Sequence, residues 1–291
     1  MPRIVSLVPN ATEILFALGA GDDVVGVSHE CDYPEAARTK RILTGSALRP
    51  GMTAAEIDAA VAAQVGSGAS LYTLDEAAIA ELDPDLLFTQ NLCPVCAVSG
   101  AQVASAVGPM PRCPEVVALD PKTLEGVFAD IHTVGERLGR QAAAGRLVAH
   151  LNGRLHAIRE RVRLQPRPRV VALEWLDPPF AAGHWVPEMI DIAGGVDHFA
   201  APGEASRRLD WSEVSAADPD AILLMPCGFD EAGAEAQRRL IEPLPKWRAL
   251  RAVQERRVLC VDANGCFSRP GPRLVDGIEQ VAAFLHPSAP G

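Results

Sequence analysis

"RIVSLVPNATEILFALGAGDDVVGV", residues 3–27, and "RVVALEWLDPPFAAGHWVPEMIDIAGGVDHF", residues 169–199, decide the fold between them. Each opens on a β-branched apolar run, reaches a glutamate, then a glycine six residues later, then a second short apolar run: Glu13 and Gly19 in the first copy, Glu188 and Gly194 in the second. Strand, helix, strand in that order predicts parallel pairing with the helix on the sheet face. The strands expected in the first half are 3–8, 24–28, "DLLFTQ" (85–90) and "EVVALD" (115–120). Those in the second half are 169–175, 196–199, "AILLMP" (221–226) and "RVLCVD" (257–262). A further echo joins the halves, since "DPDLLFTQNLC" (83–93) returns as "DPDAILLMPC" (218–227). The fold class is α/β, with two Rossmann-like lobes on parallel sheets.

Between the halves, Leu124, Val127, Phe128, Ile131, Val134, Leu138, Leu147, Leu151, Leu155, Ile158 and Val162 recur mostly at intervals of three or four. The spacing predicts one long helix, weakened at Gly145 and Gly153. About 40 residues at 1.5 Å each reach about 60 Å, enough to tie two lobes together. "QPRPR" (165–169) ends it. The expected division is an N-terminal lobe at 1–121, a linking helix at 122–166 and a C-terminal lobe at 167–291, with a ligand cleft between the lobes.

Composition removes several function classes. The chain has 291 residues and a formal net charge of -10, and basic clusters are scarce, so no nucleic-acid surface is expected. No apolar run approaches the roughly 18 residues of a membrane span, so membrane insertion is not expected. "MPRIVSLVPN" enters a strand without a signal-peptide pattern, and seven scattered cysteines suit a reducing compartment, so the expected location is the cytoplasm. Phosphate loops, G-x-S-x-G elbows and HExxH motifs are missing, and "GAGDDV" lacks the third glycine of a dinucleotide fingerprint. The chain is read as non-catalytic.

The repeat is informative where it fails. Arg3 to Glu13 takes ten positions and Arg169 to Glu188 nineteen. The extra residues follow a strand and carry Trp175, Phe180, His184 and Trp185. Loops at the carboxyl ends of parallel strands form the ligand crevice. The others read "PNATE" (9–13), "HECDYP" (29–34), "QNLCPVC" (90–96), "PCGFD" (226–230) and "DANGCFSRPGPR" (262–273).

Through "SLVPNATEILFALGAGDDVVGVS", "AELDPDLLF", the linking helix, "AADPDAILLMPCGFD" and "FSRPGPRLVDGIE", nearly the whole chain resembles the helical-backbone substrate-binding proteins of ABC importers, within them the cobalamin-binding branch. The resemblance implies a corrinoid, cobalamin, held non-covalently. Trp175, Trp185, Phe229 and Phe267 would face the corrin. Asn10, Asn91, Asp230, Asn264 and Arg269 would meet its amide rim, with His29, Glu30, Cys31, Cys93 and His184 also in the strand-end loops. Family members pair a glutamate on each lobe with permease arginines, seven residues before the "PD" proline. Here those positions are Ala77 and Ser212, with Glu76 and Glu213 one step away. That departure and the missing export signal count against docking to an ABC permease, and the expectation is a monomeric cytoplasmic corrinoid binder or carrier.

Other readings of the cysteines stay open. His29, Cys31, Cys93 and Cys96 have the chemistry of a zinc or other metal-ion site, or of a site for another metal chelate such as haem or a siderophore. His29 alone can serve as an axial ligand to the corrin cobalt. "CPVC" (93–96), between a strand and a helix, also fits a cysteine-dependent redox enzyme. The plain alternative is small thiols that fill the wall.

Overall fold

The computed structural model describes residues 2–48, 52–67, 71–90, 98 and 100–287. The first half runs β1 (Ile4–Ser6), α1 (Pro9–Ala17), β2 (Val24–Val27), β3 (Arg41–Ile42), β4 (Thr44–Ser46), α2 (Ala54–Ser67), β5 (Tyr72–Leu74), α3 (Glu76–Leu82), β6 (Leu86–Thr89), α4 (Gly100–Val107) and β7 (Glu115–Ala118). After α5 (Leu124–Arg137) and α6 (Gln141–Val162) come β8 (Arg169–Leu176), β9 (Pro179–Ala181), α7 (Val186–Ile192), β10 (Val196–Asp197), β11 (Arg207–Arg208), α8 (Trp211–Ala217) and β12 (Ala221–Leu224). The chain ends with α9 (Glu231–Ile241), α10 (Pro245–Arg248), α11 (Arg251–Gln254), β13 (Val258–Cys260), α12 (Ala263–Cys266) and α13 (Leu274–Leu285).

By packing, the chain divides into two units. One holds Met1–Met52, Glu56–Pro121 and Phe128–Val148; the other holds Thr53–Ala55, Lys122–Val127 and Ala149–Gly291. In the first, the sheet order is β3-β2-β1-β6-β7 and each pairing is parallel. Val5, Leu7, Leu43, Ile79, Leu87 and Val103 form its core, the side chains that the apolar runs of the sequence supply. In the second, β8 pairs in parallel with β10 and β12, and β12 with β13. That sheet is not parallel throughout as expected: β9 runs antiparallel to β8, and β11 antiparallel to β9. The residues inserted into the second repeat are therefore a β-hairpin arm rather than an open loop.

Both sequence repeats have structural causes. After α1, Gly19 N–H donates to Phe16 O and Ala20 N–H to Leu15 O; after α7, Gly194 N–H donates to Asp191 O and Gly195 N–H to Ile190 O. The two glycines hold φ of +75° and +85°, the left-handed helix ending that a side chain resists. In the two "DPD" stretches Asp83 and Asp218 end their helices at φ +40°. The second aspartate of each, Asp85 or Asp220, accepts the backbone N–H of Arg3 at 2.7 Å or of Arg169 at 2.8 Å. Each "DPD" thus stops a helix and clamps the start of the neighbouring central strand.

The single linking helix expected over 122–163 is corrected. It forms two helices, α5 and α6, broken at Leu138 to Arg140, with Gly139 at φ +65°. The Arg140 guanidinium donates to Leu18 O at 3.0 Å and Gly19 O at 2.6 Å, which fastens the break to the end of α1. Gly145 and Gly153, where weakness was expected, lie inside an unbroken α6. Further along α6, Arg154 binds Glu279 and Asp276 of α13. The stretch expected as a separate linker is shared by packing between the two units.

Candidate functional site

In the first unit, the residues after β1 and β2 build one group. Cys31 is 4% exposed; its sulfur accepts the Thr12 hydroxyl at 3.1 Å and lies 3.9 Å from Ser6 O. Cys31, expected as a metal ligand, has its thiol packed between β1 and α1. Cys93, Cys96 and Asn91, and with them "CPVC", lie outside the described residues. Among the described residues no three His, Cys, Asp or Glu side chains gather to hold an ion.

His29 is organised differently. Its backbone N–H donates to Thr44 Oγ1 at 3.0 Å, its Nδ1 lies 2.7 Å from the same oxygen, and the Thr44 hydroxyl donates to Ser28 Oγ at 3.0 Å. The ring is tilted against Tyr72 with centroids 5.6 Å apart. Nε2 lies 3.4 Å from Glu30 Oε1 but is buried without a hydrogen-bond partner. Asn10, 2% exposed in the first turn of α1, likewise leaves Nδ2 buried and unpartnered. Such a group costs about 1–3 kcal/mol when nothing meets it.

In the second unit, Trp175 at the end of β8 leaves its indole Nε1 buried and unpartnered, and its ring lies 6.2 Å from that of Phe229. Asn264 N–H donates to Phe229 O at 3.3 Å, so two strand-end loops are tied together. Asp230 is an exposed helix cap that accepts Gly233 N–H at 2.8 Å. His184 adopts φ +55°, its N–H donates to Glu204 O at 2.6 Å, and burial, with a smaller contribution from the Lys122 charge, lowers its pKa. Arg269 is 8% exposed.

Two expected ligand aromatics are buried. Trp185 is 5% exposed and Phe267 1%, and the Trp185 indole N–H donates to Phe267 O at 2.7 Å. Sequence reasoning missed Thr44, Tyr72, Thr89 and Glu174. The last stands inside an apolar strand run, and a carboxylate in such a run was the available signal.

Burial raises the Glu174 carboxyl to about 7 against the lowering effect of a hydrogen bond from Ser206. Asp130 is raised to about 7 by burial and the Asp120 charge, and Asp197 to about 6 by burial. Acids raised in the folded state hold protons that the unfolded chain has released. Their stabilisation is complete below the ordinary carboxylate pKa and is lost as pH rises through 6 to 7. Stability measured by urea unfolding is expected to fall between about pH 5 and pH 8. Glu174→Gln is expected to reduce that slope and to stabilise the protein at about pH 8 by an amount of order 3 kcal/mol. An unchanged slope in the variant would remove Glu174 from this account.

The unpartnered polar atoms follow a pattern. The buried, unsatisfied side-chain atoms among the described residues belong to Asn10, His29, Thr89, Asp130, Trp175 and His286. Four of these residues stand at the carboxyl ends of β1, β2, β6 and β8, where open parallel sheets bind ligands.

Comparison with known proteins identifies the family. The profile of a family described as "Periplasmic binding protein" matches residues 4–264. The vitamin B12-binding protein of Vibrio cholerae serotype O1 is 26% identical over 301 residues, covering 97% of this chain and 88% of that protein. The uncharacterized ABC transporter substrate-binding lipoprotein YvrC of Bacillus subtilis is 24% identical over 296 residues, covering 98% of this chain and 80% of that protein. Among solved structures, the periplasmic vitamin B12 binding protein BtuF of Vibrio cholerae aligns at TM-score 0.71 and 24% identity, covering 98% of this chain and 96% of that one. The periplasmic heme-binding protein BhuT in complex with two hemes aligns at TM-score 0.72 and 21% identity, covering 98% and 99%. At these identities the structural likenesses show the fold alone. The expected cytoplasmic location, and the cytoplasmic carrier role with it, are overturned: the matching family is periplasmic, and YvrC is a lipoprotein.

Proposed function

The chain belongs to the periplasmic binding protein family, and from that premise we propose that it binds a corrinoid, cobalamin, without chemistry of its own, as the substrate-binding component of an ABC importer. The observation that carries the choice of ligand is the Trp175–Phe229 pair with its orphaned indole N–H. A corrin offers a broad apolar face edged by amide side chains. An aromatic face covers the first, and the uncharged N–H donor of Trp175 suits an amide carbonyl. The name of the Vibrio cholerae relative supports the same ligand.

The importer role rests on the family. Asp75 and Asp210 cap α3 and α8 at equivalent places, nine residues before Pro84 and Pro219. The two halves therefore match each other in register, and by the spacing that the family resemblance implies, Ala77 and Ser212 stand at the docking positions, with Glu76 and Glu213 one step away. Glu213 completes the cap of α8 and binds Arg207 at 3.0 Å, while Glu76 opens α3 on the surface. A permease contact on this chain would therefore use acidic groups displaced from the usual positions.

Tryptophan fluorescence tests the ligand. Cyanocobalamin is expected to quench it saturably and to displace haem, with the quenching reduced in Trp175→Phe. Haem that binds tightly and is not displaced by cobalamin would replace the corrinoid in this reading.

A further inference from the structure

We propose that His29 coordinates the metal of the bound corrinoid through Nε2, with Thr44 fixing the ring for that purpose. The inference rests on the corrinoid reading and deepens it.

The hydrogen-bond arithmetic around Thr44 carries it. The Thr44 oxygen accepts the backbone N–H of His29 at 3.0 Å, and its one proton goes to Ser28 Oγ at 3.0 Å. With the Thr44 proton directed to Ser28 Oγ, Nδ1 of His29, 2.7 Å from the same oxygen, is assigned as the donor, and the neutral imidazole carries its proton on Nδ1. Ser28 Oγ also accepts Glu30 N–H at 3.3 Å, so the threonine proton is drawn to an oxygen already held in place. A histidine with its proton on Nδ1 carries a lone pair on Nε2. That atom is the one left buried and unpartnered.

A metal-bound histidine characteristically donates its other ring N–H to an oxygen that fixes tautomer and orientation, and Thr44 supplies such an oxygen. The ring is further restrained by Tyr72 at 5.6 Å. Cys31, two residues on, turns its sulfur to Thr12 and Ser6. The step is a ligand exchange: Nε2 gives its lone pair to the cobalt, the water on that face leaves, and no electron moves.

The test uses two cobinamides, which lack the nucleotide base and so bring no nitrogen ligand of their own. With diaquacobinamide the wild-type protein is expected to move the visible bands to longer wavelength and to bind more than about tenfold tighter than with dicyanocobinamide, whose axial positions are blocked. His29→Gln is expected to lose the shift and to bind the two probes equally. Thr44→Val keeps the imidazole but frees the ring, and is expected to lose about tenfold in affinity for the diaqua probe alone. Reduced cob(II)inamide on the wild-type protein is expected to show threefold nitrogen splitting of its cobalt resonance lines, a readout that needs no variant to fold. Equal binding of both probes by the wild type with unshifted bands and no splitting would overturn the coordination and leave the corrinoid reading standing. Failure of the wild type to bind either cobinamide or cobalamin would overturn the corrinoid reading itself.

Discussion

Trp175→Ala is expected to weaken corrinoid binding by about 30- to 150-fold, which corresponds to about 2–3 kcal/mol for the loss of one large aromatic face at the centre of a binding surface. The indole does two things on this account. Its ring, with that of Phe229 6.2 Å away, forms the apolar wall. Its N–H, buried and unpartnered, needs an acceptor that none of the described residues provides. Trp175→Phe keeps the wall and removes the donor, so its loss is expected to be only about 2- to 13-fold, in the range of one hydrogen bond of about 0.5–1.5 kcal/mol. Trp185→Phe, which removes a donor engaged by Phe267 O, is expected to lower stability and leave affinity at low temperature unchanged. Equilibrium titration of the three variants separates these cases. Equal losses for Trp175 and Trp185 would show that both act through the fold.

The largest stability effect is expected at Trp247. It is 1% exposed, meets Trp211 edge to face with centroids 5.8 Å apart, and packs among Val171, Leu173, Leu209, Ile222 and Leu224. Trp247→Ala opens a cavity that α10 is too short to close, and about 3–5 kcal/mol is expected to be lost. Against a typical stability of about 5–15 kcal/mol, this removes a large share. Because Val171 and Leu173 belong to β8, the same strand that presents Trp175, the variant is expected to bind ligand when cold and to release it on warming, well below the wild-type unfolding temperature. Urea unfolding followed by fluorescence measures the loss. A shift below about 1 kcal/mol would mean that α10 is not part of this core.

Much of the fold was legible because parallel strands covered on both faces are continuous apolar runs. "RIVSLV", "DLLFTQ", "RVVALEW" and "AILLMP" became β1, β6, β8 and β12 close to their expected bounds. The strands β3, β4, β5, β9 and β11 were not legible, since two or three residues carry no period. The break between α5 and α6 escaped notice because Leu138 continues the apolar spacing across it, while the cause, Arg140 on the end of α1, is a tertiary contact.

The candidate site was half legible for a related reason. A strand-end loop can be located from sequence, but an aromatic in it reads the same whether it faces a ligand, as assigned to Trp175, or the core, as with Trp185 and Phe267. Cys31 and His29 looked alike as metal ligands two residues apart. Only the partners of their side chains, Thr12 and Ser6 for one and Thr44 for the other, distinguish a packed thiol from an oriented imidazole.

Calorimetric titration of the purified protein with cyanocobalamin, with haem in a parallel cell, tests the central claim most directly. The account predicts one site per chain for cobalamin with a Kd below about 1 µM, or about -8 kcal/mol, and weaker binding of haem. No heat with cobalamin at concentrations a hundredfold above that Kd would contradict it.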